Sequence, residues 1–369
     1  MPSLQSLAKA LRAMDDFRRI DYGNFTYSLS SVLTCAFCAT MAGCCGARAI
    51  SDFMTEWFDP LNKLVGLPHG VPSHDTINRV LISVDSQYLG QILREWAGVV
   101  ELHPHHLQVD GKTICGSKEN GKNVTHIVTV FAGEFAASIL ETKVFDKQNE
   151  ISAFESVLLS KQIDFSGKVV TGDAMYCQKS FCRTITESGG DWLFVVKNNQ
   201  PNLYKNIETF WAGTKEGETR VVPISGHGRK GTKTIRFSSD IDWLAEDHDF
   251  AGLSCIAEIT TDVIEKGQRK VSKQYLIGSL KTLEELFTAR SKHWSIESMH
   301  WILDTAFEED KCTSRKGNAP LNLNIFRKIG FFFLSLAMKK NLFKDCSIRR
   351  LMKRCAMKFS NLQRILSLA

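Results

Sequence analysis

The stretch RSKHWSIESMHWILDTAFEED, Arg290 to Asp310, sets a line of titratable side chains along one face of a predicted helix. At about 100° per residue, His293, Glu297, His300 and Asp304 project within roughly 60° of one another. Trp294 and Trp301 border that stripe on one side, and Ile296, Leu303 and Phe307 border it on the other. Bulky apolar surface is therefore expected on both edges. Two readings stand: a partly exposed helix with satisfied charges, or a helix that turns Glu297 into a cleft where it meets acids from elsewhere in the chain. The second reading requires acids at the ends of other elements.

Two such acids lie upstream. LQVDGK, Leu107 to Lys112, is a short strand that ends at Asp110, and Lys168 to Gly172 is an apolar strand that runs into Asp173 in KVVTGDAMYCQ. Between them His126 to Ala132 and Ala136 to Phe145 form a predicted hairpin about Gly133-Glu134, and Glu150 to Gln162 a helix. A helix over Cys177 to Ser188 and a buried strand over Trp192 to Lys197 follow. Strands alternating with helices indicate a mixed α/β sheet, and ligand-binding groups in such sheets gather at strand ends. From Asn198 to Leu280 the pattern turns β-rich, with RVVPIS, TKTIRFSSDI, SCIAEITTDV and KQYLIGSL and a hairpin turn at Lys266-Gly267, as an insertion would. It holds GHGRKGTKTIR, whose Arg229 and Lys230 are either a solvated turn or contacts to a phosphate backbone.

The first hundred residues lack strand alternation. Ser3 is a candidate cap, Asp16 to Asn24 a break, and Leu29 to Ala49 a buried helix with small residues for close packing. In GLPHGVPSHDTINRV the Gly, Pro and His make a turn, Ser73 or Asp75 can cap, and Thr76 to Val84 is helical. Cys35, Cys38, Cys44 and Cys45 suggest zinc, but no second pair stands at the customary distance, and packing explains them equally. The 369 residues, 43% hydrophobic, can bury a sizeable core. Eleven cysteines, an odd number behind no recognisable leader, are expected to be reduced thiols of a cytoplasmic protein. Two apolar runs, Tyr22 to Ala47 and Gly330 to Met338, imitate membrane spans but fit core helices better, the first diluted by small polar residues and the second too short.

Charge is informative by position. From Lys339 onward nine Lys or Arg stand against one Asp, so this tail carries +8 of a net +6 and the remainder sums to −2. Ile348, Leu351, Met352, Cys355, Phe359, Leu362 and Leu366 have helical spacing, with Arg349, Arg350, Lys353, Arg354 and Lys358 between them. An amphipathic helix with a basic outer face suits an acidic polymer such as DNA.

Asp110, Asp173 and Glu297 together make a set of carboxylates suited to hard divalent cations, Mg²⁺ above all. Two such ions about 3.5–4 Å apart assist in-line phosphoryl displacement. The blocks LPHGVPSHDTINRV, VDGKTICGS, GDAMYCQ, VVKNNQP, GHGR and HWSIESMHWILDTAFEED, in this order, resemble the H-repeat-associated family of bacterial insertion-sequence transposases, within the DDE superfamily. The resemblance spans Ser28 to Leu336. It implies a ribonuclease H-like catalytic core with a β-rich insertion before the last catalytic helix, preceded by a helical N-terminal domain and followed by a basic helical tail. The implied boundaries are 1-102 for a DNA-end-binding helical domain, 103-197 for the first part of the core and 198-280 for the insertion. Residues 281-338 would carry the catalytic and packing helices, and 339-369 the tail.

By motif, Asp110, Asp173 and Glu297 would be the catalytic acids and the ligands of two Mg²⁺ or Mn²⁺ ions. His293 and Asp304 stand where the wider superfamily often has Arg and Lys; Cys115 and the Lys-Gly after GHGR depart from the family pattern. Lys112 and Lys197 are assigned to phosphate contacts, and Arg229, Lys230, Arg349, Arg350, Lys353 and Arg354 to DNA. His293 and His300 are assigned to positioning or proton shuttling, and nearby carboxylates are expected to protonate them when metal is absent. The implied activity is hydrolysis at the ends of a mobile element followed by strand transfer, on terminal inverted repeats and target double-stranded DNA, by a homodimer at the nucleoid. The alternatives are a transposase-derived DNA-binding protein that has lost catalysis, and a zinc site from His293, Glu297 and His300, which lacks the usual HExxH order.

Overall fold

The computed structural model describes residues 2–16, 18, 26–117, 124–144, 163–214, 216–226, 228–245 and 247–368. In chain order the helices are α1 (Leu4–Leu11), α2 (Leu29–Met41), α3 (Ala47–Glu56), α4 (Phe58–Val65), α5 (His74–Ser83), α6 (Ser86–Trp96), α7 (Lys179–Glu187), α8 (Pro201–Gly213), α9 (Asp242–Ala245), α10 (Leu283–Thr305), α11 (Ala319–Lys339), α12 (Ile348–Met357) and α13 (Phe359–Leu366). The strands are β1 (His106–Ile114), β2 (Thr125–Ala132), β3 (Ala137–Val144), β4 (Val169–Gly172), β5 (Asp191–Val196), β6 (Glu218–Gly226), β7 (Arg229–Ser238), β8 (Cys255–Glu265) and β9 (Gln268–Gly278). The chain divides into two compact units: Met1–His103 with Gly111–Ala153 and Ser295–Ala369, and Pro104–Asp110 with Phe154–Trp294. Both β1 and α10 begin in the second unit and end in the first.

The first unit is built on α11. Residues on every side of this helix are buried, Asn322, Asn324, Arg327 and Lys328 among them, and 83% of its most apolar window is buried inside the fold, although length and composition alone would let it cross a membrane. It packs on α2, α5, α6, α12, β2 and β3. Phe37 meets Trp96 and Phe326 edge-on, and Trp96 meets Phe333, so three helices share one aromatic cluster. Four helices that enter this core are capped by side chains: Ser3 forms a capping box on α1, and Ser28, Ser73 and Asp85 accept from the first turns of α2, α5 and α6. The expected single helix over Leu29 to Ala49 is two, α2 and α3, because the chain turns at Gly43 with φ +98°. Cys35 and Cys38 are core packing residues with no exposure, and burial pushes the Cys35 thiol up to about 12. Among the described residues no group of three or more His, Cys, Asp or Glu is placed to hold a metal.

In the second unit the first half of β1 pairs with β4, and β4 with β5, all parallel. β5 then pairs antiparallel with β9, and the order continues β9-β8-β7-β6. The β-rich segment is thus continuous with the parallel strands: Tyr275 to Gly278 of β9 lie against Leu193 to Val196 of β5. It also opens with α8, a helix the sequence reading passed over, although Pro201 sits at its first turn where proline is favoured. In the first unit β2 and β3 form the expected antiparallel hairpin. The predicted helix over Glu150 to Gln162, and most of the predicted break at Asp16 to Asn24, lie outside the described residues.

Candidate active site

The register of β1 on β4 brings two of the acids together. Val109 pairs with Gly172, so Asp110 and Asp173, each one residue further, leave the ladder side by side on strands roughly 4.8 Å apart. Asp110 is not at the end of its strand as expected: β1 runs on to Ile114, and only its ladder with β4 stops at Val109. Asp173 turns out of β4 at once, its carbonyl accepting from the Tyr176 amide at 3.0 Å. A Cβ at Gly172 would stand 3.1 Å from Tyr176 and 3.2 Å from Phe194, so a larger residue here would press on both rings. Both aspartates are half-buried.

A buried polar chain lies beside them. Gln108 Nε2 is 2.7 Å from His106 Nδ1, His106 Nε2 is 3.1 Å from Thr171 Oγ1, and Thr171 Oγ1 is 2.9 Å from His293 Nδ1. A hydroxyl has one proton, so Thr171 donates to one imidazole and accepts from the other. His293 is 3% exposed, and burial, assisted by the Arg290 charge, pushes it down to about 4 against the opposing pull of Asp110 and Asp173. This corrects the expected protonated histidine: near neutral pH the ring is neutral, because desolvation outweighs the two carboxylates.

Asp173 also lines a cleft of about 600 Å³, bordered by Lys197, Asn198, Tyr204, Lys273 and Gln274. Asn199 Nδ2 donates to the Ala174 carbonyl at 2.7 Å and Gln200 Nε2 to that of Cys177 at 3.1 Å, binding the loop after β5 to the loop that carries Asp173. Lys197 is exposed at the rim. Nothing in the sequence marked Tyr204, Lys273 or Gln274, which come from α8 and β9.

Glu297 and His300 lie half-buried on α10, in the part belonging to the first unit. Only one edge of the predicted stripe is core. Ile296, Leu303 and Phe307 are buried, whereas Trp294 and Trp301 are 60% and 63% exposed, so the tryptophan edge faces outward. Lys112, assigned above to a phosphate contact, has a side chain 10% exposed that donates to Asp304 Oδ1 at 2.6 Å, with Glu309 Oε2 at 3.8 Å and Asp310 Oδ1 at 3.9 Å. Arg229 pairs with Glu265 at 2.9 Å, and Lys230 is exposed beside it on β7. Arg349, Arg350, Lys353 and Arg354 are exposed along α12, whose Ile348, Leu351, Met352 and Cys355 are buried.

Two half-buried carboxylates side by side, with a neutral imidazole close by, are a donor set that fits Mg²⁺ or Mn²⁺, ions that take one or two carboxylates and fill their shells with water and phosphate oxygen. The set does not fit zinc, which favours His and Cys.

Residues 100–329 match the transposase DDE domain, and residues 8–97 the DDE_Tnp_1-associated region. The chain is 29% identical over 384 residues to the "H repeat-associated putative transposase YhhI" of Escherichia coli (strain K12), covering 99% of this chain and 98% of that protein. It is 30% identical over 387 residues to the "Putative transposase YncI" of Escherichia coli O157:H7, covering 99% and 95%. Among solved structures, the piggyBac transposase synaptic complex with hairpin DNA aligns at a TM-score of 0.45 and 10% identity, over 99% of this chain and 77% of that one.

Proposed function

The chain belongs to the DDE transposase family, and from that premise we propose that it cleaves DNA at the ends of a mobile element and joins the freed 3′-hydroxyl to target DNA. Asp110, Asp173 and Glu297 are the catalytic acids of this reading. The observation that carries it is the register that sets Asp110 and Asp173 side by side at the close of the β1–β4 ladder. Parallel β1, β4 and β5 with the antiparallel β2–β3 hairpin support a ribonuclease H-like core. The three acids would hold divalent ions, Mg²⁺ or Mn²⁺, which when bound activate the attacking oxygen and stabilise the leaving one. The protein does the rest. Lys197, exposed at the cleft beside Asp173, contacts a substrate phosphate. Neutral His293, fixed by Thr171, positions its strand end without adding positive charge, a role that fits its low proton affinity better than shuttling does. The exposed cations of α12 and of β7 meet the duplex backbone. Terminal inverted repeats, target DNA, a homodimer and a nucleoid location complete the proposal.

The test is Mg²⁺-dependent nicking of a duplex bearing the inverted repeats that flank the gene. Asp110→Asn, Asp173→Asn and Glu297→Gln should each abolish nicking while leaving end binding near wild type, since amides keep the shape but lose the charge that holds the ion. Near wild-type nicking by any one variant would remove that residue from the site, and no nicking by the wild-type protein would favour a binding protein that has lost catalysis.

A further inference from the structure

In the first unit, the second half of β1 is joined to the second half of α10 by a charged cage with Lys112 at its centre. Its ammonium lies within 4 Å of three carboxylates, those of Asp304, Glu309 and Asp310, with Asp304 the closest at 2.6 Å. The cage is anchored to the core: Glu309 is fully buried, and its Oε1 accepts from Arg327 at 3.1 Å and Asn324 at 2.9 Å, both on α11. It is also locked at its rim. The Cys115 amide donates to Asp310 Oδ1 at 2.9 Å, and a Cβ on Gly116 would stand 2.5 Å from the Asp310 carbonyl oxygen.

The placement has a regularity. In a strand, residues two apart share a face, so Lys112 points to the same side of β1 as Asp110. On a helix, residues seven apart share a face, so Asp304 follows Glu297 two turns along the same side of α10. The Lys112–Asp304 pair therefore repeats, one step along each element, the juxtaposition that a shared metal ion would impose on Asp110 and Glu297. We propose that Lys112 is a positioning residue, whose ion pair with Asp304 holds α10 on β1 at the spacing divalent-metal binding requires. This rests on the function proposed above. Without Lys112, the carboxylates of Asp304, Glu309 and Asp310 repel one another at the point where helix and strand meet, and Glu297 moves with the helix.

The test is calorimetric titration of Mn²⁺ into the full-length protein without DNA, paired with thermal melting. Supporting residues around a metal site typically change its affinity by about 10–100-fold, so Asp304→Asn and Lys112→Met should each raise the Mn²⁺ Kd at least about tenfold. The double variant should be no worse than Lys112→Met alone, because the Lys112–Asp304 pair is already lost in that variant. Lys112→Arg, which keeps the charge, should stay close to wild type. Arg94→Gln, which breaks the buried pair with Glu141 elsewhere in the same unit, should lower the melting temperature and leave the Kd unchanged. If Glu297→Gln loses Mn²⁺ while Asp304→Asn binds like wild type, or if Arg94→Gln weakens binding as much as Asp304→Asn does, the clamp is overturned and the site stands. If Asp173→Asn and Glu297→Gln also bind like wild type, the site falls and the clamp with it.

Discussion

Lys328 is 2% exposed on α11, its ammonium donating to Thr129 Oγ1 at 2.5 Å. Burial pushes it down from the ordinary 10.5 to about 8, with Lys112 and Arg94 acting in the same direction and Glu141 and Glu309 against it. Between pH 8 and 10.5 the unfolded chain holds this proton and the folded chain does not, so stability rises with pH across that window. Below pH 8 the folded protein carries the full cost of a buried charge, at most about 3 kcal/mol for a shift of this size. Lys328→Met removes that cost and keeps the volume. The variant should therefore melt above wild type at pH 7, and the gap should narrow steadily towards pH 10.5; a gap constant with pH would mean that the amine is stabilised by its partners as much as it is penalised by burial.

At the scale of elements, the sequence is legible where a single periodicity decides the outcome. The strand end before Asp173, the β2–β3 hairpin, the caps Ser3 and Ser73, and the helices around Glu297 and Phe333 all follow from local pattern, whereas β1 runs past Asp110 to Ile114. Helical projection gives an angle but not an environment, which is why Trp294 and Trp301 could be placed on an edge yet not be known to face outward. For the same reason the ion pair of Lys112 was not legible: its partner Asp304 lies 192 residues away, and no local pattern announces such a pair. Gly116 is a like case. Its Cβ position falls 2.5 Å and 2.6 Å from the carbonyl oxygens of Asp310 and Cys312, both backbone atoms that cannot rotate aside. Gly116→Ala must then separate the loop after β1 from the loop after α10. Urea unfolding should show a loss of roughly 2–4 kcal/mol, in the range of overpacking with loss of a buried network; a loss below 0.5 kcal/mol would show that the two loops part without cost.

For the molecule as a whole, charge is distributed unevenly along the chain, and the structure decides which charges are available. The tail carries +8, yet α12 and α13 are not a detached arm: Leu351, Met352, Cys355, Leu362, Ile365 and Leu366 are buried in the core of the first unit. Deleting the tail would strip that core and confuse stability with binding, so the informative change is reversal of outer-face charge. Arg354 and Arg364 stack over Phe343 at 5.0 and 4.9 Å, and Arg350 donates to the Asp345 carbonyl, so these three have structural duties. Arg349 and Lys353, four apart and both exposed, lie on one face of α12 and can be reversed with least disturbance. Each phosphate contact on duplex DNA contributes roughly 0.9 to the slope of log K against log salt. Arg349→Glu/Lys353→Glu should therefore lower that slope by about 2 on a random-sequence duplex, measured by fluorescence anisotropy from 50 to 200 mM NaCl, with the melting temperature unchanged. An unchanged slope in the folded variant would assign the helix to packing alone and move the search for the duplex-binding face to Arg229 and Lys230 on β7.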